Sequence, residues 1–302
     1  MRILKKFSLE GTIFHILNTT LLIALMVVCL YPFLNTLAIS LNDGYDTVKG
    51  GIYLLPRKFS IQNYRVVFNT EAIYIAFVNS VTKTILTVLI NLVTTSMVAY
   101  TLTRRDFILR KFTTIVFVLT MYFNAGLIPN YMLIRNLGLN NTYAVYIVPA
   151  MISAFNIIVV RTYMQSLPES LVESAKIDGA GDIRIFWQII FPLCKPVLAT
   201  IALFVAVGSW NDWFTTFLYN SSKQNLSTLQ YELMKLLNAA LNAGQTASQG
   251  GVSVGSADSI SATTPMSIRA AVTIVTAVPI LLVYPFLQKH FVAGLTIGGV
   301  KG

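Results

Sequence analysis

Groups capable of covalent chemistry are sparse and scattered in this chain. Two histidines, two cysteines and twelve acids among 302 residues form no metal or nucleophile constellation by spacing. No Gly-x-x-x-x-Gly-Lys-Ser/Thr phosphate loop is present, and the glycine-rich Gly294–Lys301 stretch does not complete one. Patterned polar residues gather instead in three places. Leu167–Pro192 carries alternating charges around Gly179 between two apolar runs. Trp210-Asn211-Asp212-Trp213 places an amide and a carboxylate between two indoles. Ser80, Thr84, Thr87, Asn91 and Thr94 recur at three- and four-residue steps, with Lys83 beside them. Such groups can dock a protein, bind a polar solute or hold helices together.

The elements that position them follow from composition. Hydrophobic residues make up 55% of the chain, charged residues 11%, and the mean hydropathy is +0.67. Soluble domains carry about a quarter charged residues. Six apolar runs reach or approach the roughly 20 residues that cross a hydrocarbon core. They cover about 13–34, 73–102, 112–134, 142–160, 196–218 and 268–288. Helices satisfy their own backbone within a bilayer, so the expected fold is an all-α integral membrane protein with six transmembrane helices. Residues 1–12 form a cytoplasmic N-terminus before a single membrane domain, 13–302. The first run exceeds a signal peptide's apolar core and lacks a small-x-small cleavage site before Asn42, which predicts an uncleaved anchor.

Basic residues near span ends set orientation. Arg2, Lys5, Lys6, Arg104, Arg105, Arg110, Lys111, Arg161, Lys176, Arg184, Lys195, Lys289 and Lys301 share one side if six spans alternate. That side is then cytoplasmic, with both termini and residues 165–195. Topology accounts for most of the +10 net charge, so no nucleic acid is implied. Cys29 and Cys194 fall at opposite membrane faces and cannot pair. His15 and His290 lie near the cytoplasmic boundary and read as anchors.

Between the spans, Asn42-Asp43-Gly44 and Lys49-Gly50-Gly51 signal turns, and Ser60 is placed to cap a short helix. Thr228–Leu241 has helical spacing. The Gly, Ser, Ala and Thr of 242–264 predict a flexible outer loop. Pro149, Pro279 and Pro285 should kink their spans, as ordinary irregularity or as hinges. The polar stripe of the second span either glues helices or lines a wet path.

Leu167–Pro192 reads as a compact helix-turn-helix. Pro168 opens the first helix, Glu169 and Glu173 suit its positive end, and Gly179 frees the turn. Asp182 caps a second helix, Ile183–Ile190, which Pro192 ends. Two such short helices are unstable alone; they must rest on their own spans and face something else.

Glu173-Ser174-Ala175, three residues, Gly179, nine residues and Ile189-Ile190-Phe191-Pro192 resemble the EAA loop of binding-protein-dependent ABC importer permeases, E-A-A-x3-G-x9-I-x-L-P. Ser174 and Phe191 depart mildly from it, keeping a small residue and an apolar one. From about Tyr122 onward, Asn136–Thr142, Trp210–Trp213 and Tyr284–Lys289 are similar to the carbohydrate branch, nearest its permeases for complex oligosaccharides. The resemblance implies a sugar-importing permease of the cytoplasmic membrane that binds no cofactor itself. Its implied partners are a second permease, two ATPase subunits that use ATP and Mg, and an extracytoplasmic solute-binding protein. Glu173, Ser174, Ala175, Asp178, Gly179, Ala180, Phe186, Ile189 and Pro192 would couple to the ATPase. Sugars offer apolar faces and a rim of hydroxyls, which aromatic and amide groups can meet. Trp210, Asn211, Asp212, Trp213, Tyr122, Asn124, Lys83 and Asn91 are therefore candidates for the substrate path, the indoles reading equally as an interfacial belt. The alternative is a secondary transporter driven by an ion gradient; it would favour repeated halves and buried ion-site carboxylates, of which Asp212 is the plausible one.

Overall fold

The computed structural model describes residues 9–247 and 263–299, and they are helical throughout apart from loops and one isolated β-bridge, Asn42 to Phe59. In chain order the helices are α1 (Leu9–Ser40), α2 (Gly44–Val48), α3 (Gln62–Asn69), α4 (Glu71–Thr103), α5 (Arg110–Tyr122) and α6 (Leu127–Asn136). Then follow α7 (Ala154–Gln165), α8 (Ser170–Ile177), α9 (Asp182–Ile185), α10 (Phe191–Leu193), α11 (Lys195–Asn211), α12 (Phe214–Tyr219), α13 (Leu229–Ala247) and α14 (Pro265–Gly299). Two units are distinguishable: one runs to Thr70 and takes in Leu236–Val275; the other spans Glu71–Lys235 and continues from Thr276.

In the first unit α1 presents apolar side chains outward from Ile13 to Tyr31, as a lipid-solvated helix does. Its end is tied to α3 by buried amides. Asn63 donates to the carbonyls of Ser40 (2.9 Å) and Asn42 (2.8 Å), and accepts from the Ser267 hydroxyl (2.8 Å). Asp43 caps α2 by accepting from the Asp46 amide at 3.1 Å. Gly44 has no room for a side chain, since a Cβ would stand 2.5 Å from the Thr263 backbone. Helix α3 starts at Gln62 with Ile61 at the N-cap position, and Ser60, one residue earlier than that, accepts from the Gln62 amide at 3.2 Å.

In the second unit α4 packs along α7 and α11. Helix α4 has no glycine or proline over its 33 residues, which suits a straight central element. Ser80, Lys83, Thr87, Asn91 and Thr95 are buried on it. Lys83 thus belongs to the polar stripe rather than bordering it, while Thr84 turns to a neighbouring apolar pocket.

Several expectations change. Among the described residues three helices are long and apolar enough to cross a membrane: Ile13–Ser40, Glu71–Thr103 and Pro265–Leu282. A fourth arises if Asp182–Leu193 and Lys195–Asn211, bent by 78°, count as one span. The expected third run is broken at Phe123–Gly126, where Gly126 has φ 90° and its amide donates to Asn124 Oδ1 at 2.8 Å. The fourth is a 3-10 turn, Tyr143–Tyr146, then irregular backbone around Pro149 up to α7. The fifth breaks at Asp212–Trp213. By contrast α14 stays helical through Pro279 and Pro285. Pro192 does not end the second helix of the helix-turn-helix. A π-helical stretch, Phe186–Ile190, carries the chain into α10, and the break falls at Cys194. Residues 242–247 extend α13 instead of opening a flexible loop; 248–262 lie outside the described residues.

Replacing Asn63 with Ala should strip the buried Ser40 and Asn42 carbonyls of their amide donor, while Ser267 keeps its bonds to Thr264. The expected loss is about 2–4 kcal/mol, read as a lowered Tm of the detergent-purified protein.

Candidate coupling surface and polar cavity

The helix-turn-helix rests on an apolar core. Val172 and Ala175 from α8, Ile185 from α9, and Phe186 and Ile190 are buried against Ala99, Tyr100 and Leu102 of α4, Ile157, Val160 and Met164 of α7, and Val197, Leu198 and Ile201 of α11. Phe186 is the centre of a ring cluster, 5.4 Å from Tyr100, 5.0 Å from Trp187 and 5.7 Å from Phe191. Each such side chain contributes roughly 1.5–3 kcal/mol on burial, which makes up for the short helices' weak intrinsic stability. The turn is made by Gly179 at φ +78°, with nothing near its Cα face.

This packing sorts the candidate coupling residues. Ala175 and Phe186 are buried and hold the motif down; Ala180, Ile189 and Pro192 are half-buried at its edge. Glu173, Ser174, Asp178 and Gly179 are exposed. Flanking them, Ile177 and Ile183 stand 87% and 78% exposed at the tip, a feature the motif spacing did not single out. Among the described residues Glu173 and Asp178 have no ion-pair partner, so the tip offers uncommitted acid beside uncovered aliphatic surface.

A second feature is a polar cavity of about 340 Å³ within the same unit. Its wall includes Lys83, Thr87, Asn91, Tyr146, Asn156 and Asp212. Lys83 Nζ donates to Asp212 Oδ2 at 2.9 Å and to the Asp212 carbonyl at 3.1 Å, and lies 4.8 Å from the Tyr146 ring centre. The Lys83 side chain is 2% exposed and that of Asp212 30%. An ammonium at such depth requires a counter-charge, and Asp212 supplies it from the break between α11 and α12. Its other oxygen accepts from the Thr215 amide at 3.0 Å in the first turn of α12.

The same α4 face repairs the fourth run. Asn91 Nδ2 donates to the Ala150 carbonyl at 2.7 Å, and Thr94 Oγ1 to the Met151 carbonyl at 2.5 Å. Non-helical backbone in a membrane is tolerated where protein groups or a wet cavity satisfy it. The stripe therefore does both jobs open to it, binding helices together and lining a polar space.

Lys83, Asn91 and Asp212 thus converge, while other substrate-path candidates do not. Trp210 turns away, lining an apolar pocket and donating Nε1 to the Thr276 carbonyl at 2.9 Å. Trp213 packs edge-on to Phe214 and at a tilt to Phe217. Asn211 is exposed and accepts from Gln230 at 3.0 Å. Tyr122 is 81% exposed, and Asn124 serves its own turn. Tyr146 and Asn156 were missed. Tyr146 sits in an apolar run that reads as plain span, and Asn156 reaches Asn91 (3.3 Å) only across helices.

An all-helical membrane unit with a packed helix-turn-helix and a polar cavity is what a solute permease requires. The chain belongs to the family described as "Binding-protein-dependent transport system inner membrane component", matched over residues 69–297. It is 36% identical over 296 residues to the polygalacturonan/rhamnogalacturonan transport system permease protein YtcP of Bacillus subtilis, covering 97% of this chain and 100% of that one. It is 30% identical to the arabinooligosaccharides transport system permease protein AraQ of Halalkalibacterium halodurans, over 91% and 92% of the two chains. A chain in the crystal structure of a bacterial ABC transporter that imports the acidic polysaccharide alginate superposes with a TM-score of 0.84 at 28% identity, covering 95% and 99%. The chain is accordingly the permease subunit of a binding-protein-dependent ABC importer of oligosaccharides, with ATP hydrolysis on separate subunits. This leaves no place for the ion-gradient alternative.

Replacing Lys83 with Met strands Asp212 and should cost about 3 kcal/mol. The Lys83→Met/Asp212→Leu double variant should recover a good part of it; thermal unfolding of the three variants checks this.

Proposed function

We propose that this permease crosses the membrane six times, with both termini and residues 165–195 on the cytoplasmic side. The exposed tip around Glu173, Ser174, Asp178 and Gly179 then docks in a groove of an ATPase subunit. Two ATPase subunits, a second permease and an extracytoplasmic solute-binding protein complete the importer. ATP and Mg act on the ATPase alone. Support for the docking comes from one observation: charge and aliphatic surface stay uncovered at the tip while its opposite face is anchored to α4, α7 and α11.

Such an anchored elbow carries a push from nucleotide-driven closure into the helices that wall the polar cavity. Lys83, Thr87, Asn91, Tyr146 and Asp212 supply hydroxyl, amide and charged groups for a passing sugar. The cargo named for YtcP and for the alginate transporter puts fragments of acidic polysaccharides first among substrates.

Glu173→Lys changes an exposed group without touching the core, and Gly179→Pro forbids a φ of +78°. Both should abolish oligosaccharide uptake and release the ATPase subunits on purification, while insertion is unchanged. Wild-type uptake with full ATPase recovery in both variants would defeat the docking role.

A further inference from the structure

Beside the helix-turn-helix lies a second polar cavity of about 340 Å³, within the size range of small-ligand sites. Arg104, Arg105 and Arg110 line it from the turn between α4 and α5; Glu169, Val172 and Ile190 line it from the other side. One of the three guanidiniums is neutralised: Arg105 Nη2 meets Glu169 Oε2 at 2.7 Å. The others are not. Arg104 lies over the Tyr100 ring at 4.6 Å, and its Nε is buried with no hydrogen-bond acceptor. Arg161 lies outside this lining, and its Nε donates to the Leu102 carbonyl at 3.3 Å. Among the described residues no carboxylate pairs with Arg104, Arg110 or Arg161.

A topological bias toward basic residues accounts for arginines at this end of the spans. It does not account for their convergence on one concavity, where like charges repel and a buried donor goes unused. Convergent guanidinium forks match the planar pairs of oxygens on a phosphate, and do so better than lysines would.

We infer that this cavity binds a phosphate-bearing anion, either the headgroup of an acidic phospholipid or a soluble phosphate. The anion accepts from Arg104 and Arg110 and competes with Glu169 for Arg105. Because Glu169 opens α8, an occupied site changes what holds the first turn of the helix-turn-helix. The site stands on its own geometry and does not require the ATPase-docking reading.

The test is residue-resolved protection from the arginine reagent phenylglyoxal, measured by peptide mass spectrometry on the intact importer. Nanodiscs of phosphatidylcholine alone serve as the reference. Phosphatidylglycerol discs form one arm, and inorganic phosphate added to phosphatidylcholine discs forms the other. Labelling of Arg104 and Arg110 should fall at least about fivefold in one or both arms, with Arg57 and Arg135 unchanged as controls. Protection by the lipid alone assigns the phosphate to a headgroup; protection by inorganic phosphate assigns a soluble ligand. No protection in either arm overturns the site. So does protection that depends on the ATPase subunits and is indifferent to both probes, because the arginines would then belong to a protein contact. Wild-type protein suffices throughout, so misfolding of an arginine variant cannot obscure the result.

Discussion

The structure depends on the apolar contact between the helix-turn-helix and the ends of α4, α7 and α11. Without Val172, Ala175, Ile185, Phe186 and Ile190 in that contact, two helices of a few residues each would not hold their shape. With them, the tip is an extension of the membrane unit. The bend at Cys194 then turns the chain by 78° directly into α11, so no slack segment separates the exposed tip from the helix that ends at the Lys83–Asp212 pair. Packed interiors transmit displacement because they are dense and hardly compressible.

A second constraint acts deeper. Three of the apolar runs are interrupted, and each interruption exposes backbone groups that lipid cannot satisfy. Helix α4 answers two of them from one face: Asn91 and Thr94 reach the carbonyls around Pro149, and Lys83 reaches the break at Asp212. Irregular backbone and polar stripe are therefore parts of one arrangement. The polar cavity is the space left between them, which is why its wall combines hydroxyls, amides and a single ion pair.

Much of this was legible in residue order, for identifiable reasons. The long runs of α1, α4 and α14 announce themselves because hydropathy sums over many residues. The helix-turn-helix was legible because Gly179, Glu173 and Pro168 act locally, through φ freedom, dipole and first-turn geometry. Convergence was less accessible. That Lys83 pairs with Asp212, or that Tyr146 and Asn156 join Asn91, depends on which faces of distant helices meet. Pro149 marked an irregularity without revealing that seven residues, 147–153, would leave helical geometry. Trp210 and Trp213 were ambiguous because aromatic residues beside amides suit a sugar and apolar packing equally well. Pro192 misled because a π-helical stretch precedes it and absorbs the missing donor within a continuing helix.

The central claim is that the helix-turn-helix moves as one body with the helices beneath it. Spin labels at Ser170→Cys and Thr162→Cys, both exposed, with Cys29 replaced by Ser, report the distance from the helix-turn-helix to α7. Pulsed electron-electron resonance on the intact importer, with nucleotide absent and with the ATPase trapped closed, should give one narrow distribution at an unchanged distance. A shift or broadening of several ångströms between the two states would show that the tip swings on its own, and the elbow could not drive the cavity.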